Sequence, residues 1–136
     1  MILTIPEIES PIDEKEAYNM NAVVLAFIGD AVHTLTTRTE LVLTHSFKTD
    51  KLHSLTTDKV KASAQAKLVD LIKDDLTDVE TDVYMRGRNA HTATVAKNAT
   101  LSDYKKATGF EAVIGYLYLT GQNERIKELL NKTSEK

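Results

Sequence analysis

Apolar residues recur along most of the chain at helical rather than alternating spacing, and the prolines, at positions 6 and 11, both precede the main apolar segments. A short acidic helix is predicted over residues 13–20. The next helix, over 21–43, opens on Asn21, a good capping residue, and carries Val24, Ile28, Ala31, Leu35 and Val42 near one face. One or two turns are expected at 50–55. An amphipathic helix follows at 58–73, with Val60, Ala64, Leu68, Leu71 and Ile72 on its apolar side. Thr77 and Glu80 form a capping box for a helix over 78–88, and a polar loop spans 89–101. Ser102 is placed to cap a helix reaching 119, where Gly121 offers a left-handed stop, and 123–131 is amphipathic through Ile126, Leu129 and Leu130. These elements predict an all-α bundle of six or seven helices.

At 136 residues and 42% hydrophobic content, the chain supplies one core, so a single domain over 1–136 is expected, with its packed part at about 17–131. No apolar run is long enough for a membrane span, and the acidic N-terminal segment is unlike a secretory leader, which points to a cytoplasmic protein with no membrane partner. The absence of cysteine excludes disulfides and thiolate chemistry, so a metal would have to sit on oxygen or imidazole. Seventeen basic against twenty acidic residues argue against holding nucleic acid by bulk charge alone. The distribution is uneven. Residues 74–82 carry five acids and no base, whereas 84–106 carry Arg86, Arg88, Lys97, Lys105 and Lys106 against Asp103. Such a basic stretch is either a solvated face or a phosphate-contacting surface.

Two acids stand out by their surroundings. Asp30 is the sole acid between Asn21 and Thr37, and Glu111 the sole charge between Ala107 and Gly121. Both helices are apolar almost all round, so both carboxylates are expected to be buried, and neither helix offers a lysine or arginine beside its acid. Gly29 and Gly115 would admit another backbone or a ligand at close range. A divalent cation would satisfy both acids, as would hydroxyls, backbone groups or Arg38, Arg86 or Arg88 from another helix; the pattern alone leaves both readings open. His33, one turn from Asp30, reads as a packed histidine rather than a ligand.

The string AVVLAFIGDAV at 22–32 resembles the signature helix of ribonuclease III catalytic domains, and FEAVIGYLYL at 110–119 is similar to that family's second catalytic helix. RGRNAH at 86–91 and AKNAT at 96–100 resemble its intervening Arg-Gly-x-Asn and Lys-Asn segments. The resemblance covers about 17–131 with no double-stranded RNA-binding domain, as in the stand-alone Mini-ribonuclease III branch. It implies the ribonuclease III helical bundle, a homodimer, and a Mg²⁺-dependent endoribonuclease that cleaves double-stranded RNA to 5′-phosphate and 3′-hydroxyl ends. In that branch the substrate is precursor 23S ribosomal RNA, with ribosomal particles as further partners. Carried over by position, Asp30 and Glu111 become the catalytic and metal-binding acids, and Arg86, Arg88, Asn89, Lys97 and Asn98 the RNA contacts. Ala26 and Thr108 stand where the longer enzymes have two more acids, which keeps a non-catalytic RNA- or ribosome-binding module of the same fold as the alternative.

Overall fold

The computed structural model describes residues 5–90 and 100–134, and every regular element in them is helical. Helix α1 spans Glu14–Tyr18, α2 Ala22–Thr44, α3 Thr49–Val60, α4 Ala62–Ile72, α5 Asp78–Asn89, α6 Leu101–Leu119 and α7 Asn123–Ser134, with a single 3₁₀ turn at Lys73–Asp75. Side-chain caps set several starts. Asn21 accepts from the Val23 N–H at 2.7 Å, and Thr77 and Glu80 close the expected capping box. Gly121, at φ 74°, ends α6 as foreseen, its N–H bonding the Tyr118 carbonyl while that of Gln122 bonds Leu117.

Helix α6 is the axis. Its residues 107–110 and 112–117 are all buried, with α2, α4 and α5 packed along it and α1 and α7 touching it as well. Phe110, Ile114 and Leu117 interdigitate with a core that includes Leu25 of α2, Val69 and Ile72 of α4, Val83 of α5, and Ile126 and Leu129 of α7. Two glycines bring α2 against α6. A methyl group on Gly29 would lie 1.8 Å from the Glu111 carbonyl oxygen, and one on Gly115 would lie 1.9 Å from that of Leu25. Only hydrogen at both positions permits so close a crossing.

Four sequence expectations need correction. The apolar side drawn for 58–73 is not the buried one, since Leu71 is exposed and Ala64 and Leu68 are half-buried while Gln65, Ala66, Val69 and Ile72 face the core. The face of α2 marked by Val24, Ala31, Leu35 and Val42 points outward; the buried side is Ala22, Leu25, Ala26, Gly29, Val32, His33 and Leu41. A helix apolar all round carries no period that chooses a side, and the small residues decided it by allowing the backbone approach. The segment predicted as one helix over 58–73 is two, because Lys61 is extended at ψ 158° and separates α3, a full twelve-residue helix, from α4. Helix α6 begins two residues early, capped by Thr100, which accepts from the Asp103 N–H at 3.0 Å, in place of Ser102.

Candidate active site

The glycine crossing places residues 30 and 111 close together on different helices: Gly29, next to Asp30, packs on the Glu111 carbonyl itself. Glu111 is partly covered, and burial first, then hydrogen bonding to and charge repulsion from Asp30, push its carboxyl up to about 8. Asp30, expected to be buried, is exposed at the outer edge of α2. The two acids therefore form a pair with one member against the core and the other open to solvent. No lysine or arginine forms an ion pair with either among the described residues.

The arginine partners considered from sequence are elsewhere. Arg86 donates to the Tyr18 carbonyl at 2.5 Å and the Met20 carbonyl at 3.5 Å, stacks over the Tyr18 ring and faces Asp82 at 3.5 Å. It thus ties the link between α1 and α2 to α5, a structural task that occupies much of its guanidinium. Arg88 donates to the Asn89 side chain at 3.1 Å, at the C-terminal end of α5, where Asn89 is exposed. Lys106 pairs with Asp70 at 3.2 Å. Lys97 and Asn98 lie outside the described residues.

Ala26 and Thr108 contribute no further ligand. Ala26 is buried, and the buried Thr108 hydroxyl donates to the Tyr104 carbonyl of its own helix at 3.0 Å. His33 is packed, as read from sequence, edge-on to Phe110 with ring centroids 5.2 Å apart. Burial lowers its imidazole to about 4, against smaller opposing effects of the Lys59 carbonyl and Asp30, and neither ring nitrogen has a well-formed hydrogen bond. The residue that sequence reasoning missed is Gln65 of α4, whose amide donates to Glu111 Oε2 at 3.3 Å. Its signal was its place one turn before Val69, on the face that proved to be buried.

No group of three or more histidine, aspartate or glutamate residues is arranged to hold a metal among the described residues. Two adjacent carboxylates without a cation nonetheless fit Mg²⁺, which binds proteins through one or two carboxylates and keeps several waters. The raised Glu111 carboxyl agrees: burial and the neighbouring Asp30 both disfavour its charge, which a bound cation would stabilise.

Among the described residues no helix is long and apolar enough to cross a membrane. Residues 23–122 match the sequence pattern of the Ribonuclease III domain. The chain is 44% identical over 114 residues to the Mini-ribonuclease 3 of Streptococcus pneumoniae, covering 82% of this chain and 89% of that protein. It is 43% identical over 118 residues to that of Clostridium tetani, covering 86% and 78%. A crystal structure of a protein from Fusobacterium nucleatum superposes with a TM-score of 0.79 at 30% identity, covering 86% of this chain and 93% of the other.

Proposed function

The chain belongs to the ribonuclease III family, in its Mini-ribonuclease 3 branch, and is an endoribonuclease; on that premise we propose that it cleaves double-stranded RNA with Mg²⁺ held by Asp30 and Glu111. The observation that carries this reading is the acid pair at the α2–α6 crossing, which no lysine or arginine among the described residues neutralises. The Mini-ribonuclease 3 relatives favour the enzyme over the non-catalytic module of the same fold.

Mg²⁺ bound there would acidify a water and offset charge building on the phosphate. The chain's own part is to hold two carboxylates at a separation fixed by backbone contact, with Asp30 open to an approaching duplex and Glu111 braced from behind by the core. Arg88 and Asn89 at the end of α5, together with Lys97 and Asn98, are the proposed phosphate contacts; Arg86 acts mainly by holding α5 to the α1–α2 link. Double-stranded RNA is recognised by shape and phosphates, which suits a few basic groups on an otherwise acidic protein and predicts salt-sensitive binding. The products are 5′-phosphate and 3′-hydroxyl ends. Precursor 23S ribosomal RNA, free or in ribosomal particles, is the proposed natural substrate, and residues 17–131 or so act as one catalytic domain in the cytoplasm.

A homodimer completes the reading. Helix α2 exposes Val24 at 50%, Phe27 at 81% and Leu35 at 44%, an apolar strip that runs past Asp30. A second copy seated on it would set two sites side by side, one for each strand. The test is cleavage of a long RNA duplex at low salt, with Mg²⁺ and then with excess chelator, in the wild type, Asp30→Asn and Glu111→Gln. Metal-dependent cleavage lost in both variants is expected; wild-type protein inert on duplex and on precursor ribosomal RNA would sink the assignment.

A further inference from the structure

Gln65 is the one polar residue on the buried side of α4, 2% exposed beside Ala66, Val69 and Ile72. A glutamine at such a position loses side-chain freedom and hydration that an apolar residue would not. Its amide nitrogen donates to the Val60 carbonyl at 2.6 Å and to Glu111 Oε2 at 3.3 Å. The Val60 carbonyl can only accept, so the nitrogen, not the oxygen, must face this side. Val60 is the last residue of α3, and the chain turns away at the extended Lys61, so its carbonyl sits at a helix end that needs a side-chain partner. The other end of the amide is left without a partner: Oε1 is buried and accepts no hydrogen bond among the described residues. No other nitrogen donor reaches the Glu111 carboxylate among the described residues.

We propose that Gln65 is the positioning residue of Glu111, anchored at the α3–α4 break and holding Oε2 so that the carboxylate stays beside Asp30. The proposal rests on the reading of Glu111 as a metal ligand and names the group that orients it. Residues that orient a ligand from behind typically change metal affinity or activity by about ten- to a hundredfold when replaced. Gln65→Met keeps the length and loses the donor; Gln65→Asn keeps the amide and is too short to reach both acceptors.

The experiment measures Mn²⁺ affinity by calorimetry and the Mg²⁺ dependence of duplex cleavage in both variants, with folding checked by circular dichroism. Mn²⁺ affinity and kcat at fixed Mg²⁺ are each expected to fall about tenfold, with KM for the duplex nearly unchanged. The same substitution added to Glu111→Gln is expected to leave Mn²⁺ affinity where Glu111→Gln alone puts it, because its effect passes through that carboxylate. A folded Gln65 variant with wild-type Mn²⁺ affinity and only a lower Tm would overturn the positioning role. Equal losses in the wild-type and Glu111→Gln backgrounds would overturn it too, by showing an effect that bypasses Glu111. Wild-type Mn²⁺ affinity in Glu111→Gln alone would instead remove the ligand reading on which the proposal stands.

Discussion

Two glutamates reach into the helical core on adjacent helices, and the chain treats them in opposite ways. Burial works to raise the Glu80 carboxyl, but hydrogen bonds and charge from Arg125 and the Thr77 N–H outweigh it and hold the group below its ordinary range. Arg125 grips it with two bonds of 2.9 Å, and also bonds the Asp75 carbonyl and Glu128. Glu111 has a neighbouring carboxylate and one amide, and is pushed up to about 8. An acid placed for stability is met by a cation from its own chain. An acid set beside another acid makes the fold less stable unless positive charge arrives from outside, and such an arrangement is retained where chemistry uses it.

The contrast breaks most sharply in activity. Glu111→Gln or Asp30→Asn is expected to lower kcat for duplex cleavage by about a thousandfold or more, since several kcal/mol of barrier lowering is assigned to the Mg²⁺ proposed to sit on them; Glu80→Gln, assayed while folded, should cleave at nearly the wild-type rate. The next effect is on stability. Arg125→Met strands a buried carboxylate and is expected to destabilise by about 3–5 kcal/mol in urea unfolding, with catalysis of the folded fraction intact. Glu80→Gln is milder, about 1–2 kcal/mol, because Arg125 keeps its other acceptors.

Opposite pH limbs sharpen the comparison further. The Glu80 contribution is fully present above the unfolded carboxyl pKa and is lost as pH falls through the lower folded value, so Arg125→Met should flatten the acid limb of the stability profile. Glu111 has its folded value raised, so without metal its contribution is present below the ordinary carboxyl pKa and disappears as pH rises toward about 8. Glu111→Gln in excess chelator is therefore expected to match the wild-type Tm near pH 4 and exceed it by several degrees at pH 8. The smallest change is the baseline: Lys127→Ala, which removes an exposed pair with Glu124, should shift stability by less than about 0.5 kcal/mol.

How much of this was legible in the sequence differs between the two glutamates. Glu80 was read as a capping residue from Thr77-x-x-Glu80, which is local, but its arginine stands in another helix and no spacing rule connects them. Asp30 and Glu111 were singled out as lone charges in apolar helices, and Gly29 and Gly115 as points of close approach. The structure brings all four together at one crossing. Exposure was misjudged for Asp30 and for the Val24, Leu35 and Val42 strip, because a helix apolar on every side hides which face meets the core. The break at Lys61 left no trace, as lysine neither favours nor forbids extended backbone, and with it the place of Gln65 was lost.

The glycine crossing also governs when the site comes into being. Residues 29 and 115 stand far apart in the chain, so the contact of α2 with α6 closes a loop of most of its length. A ligand that requires both carboxylates at that crossing favours the folded chain over the unfolded one, and its binding free energy adds to the stability of the finished fold.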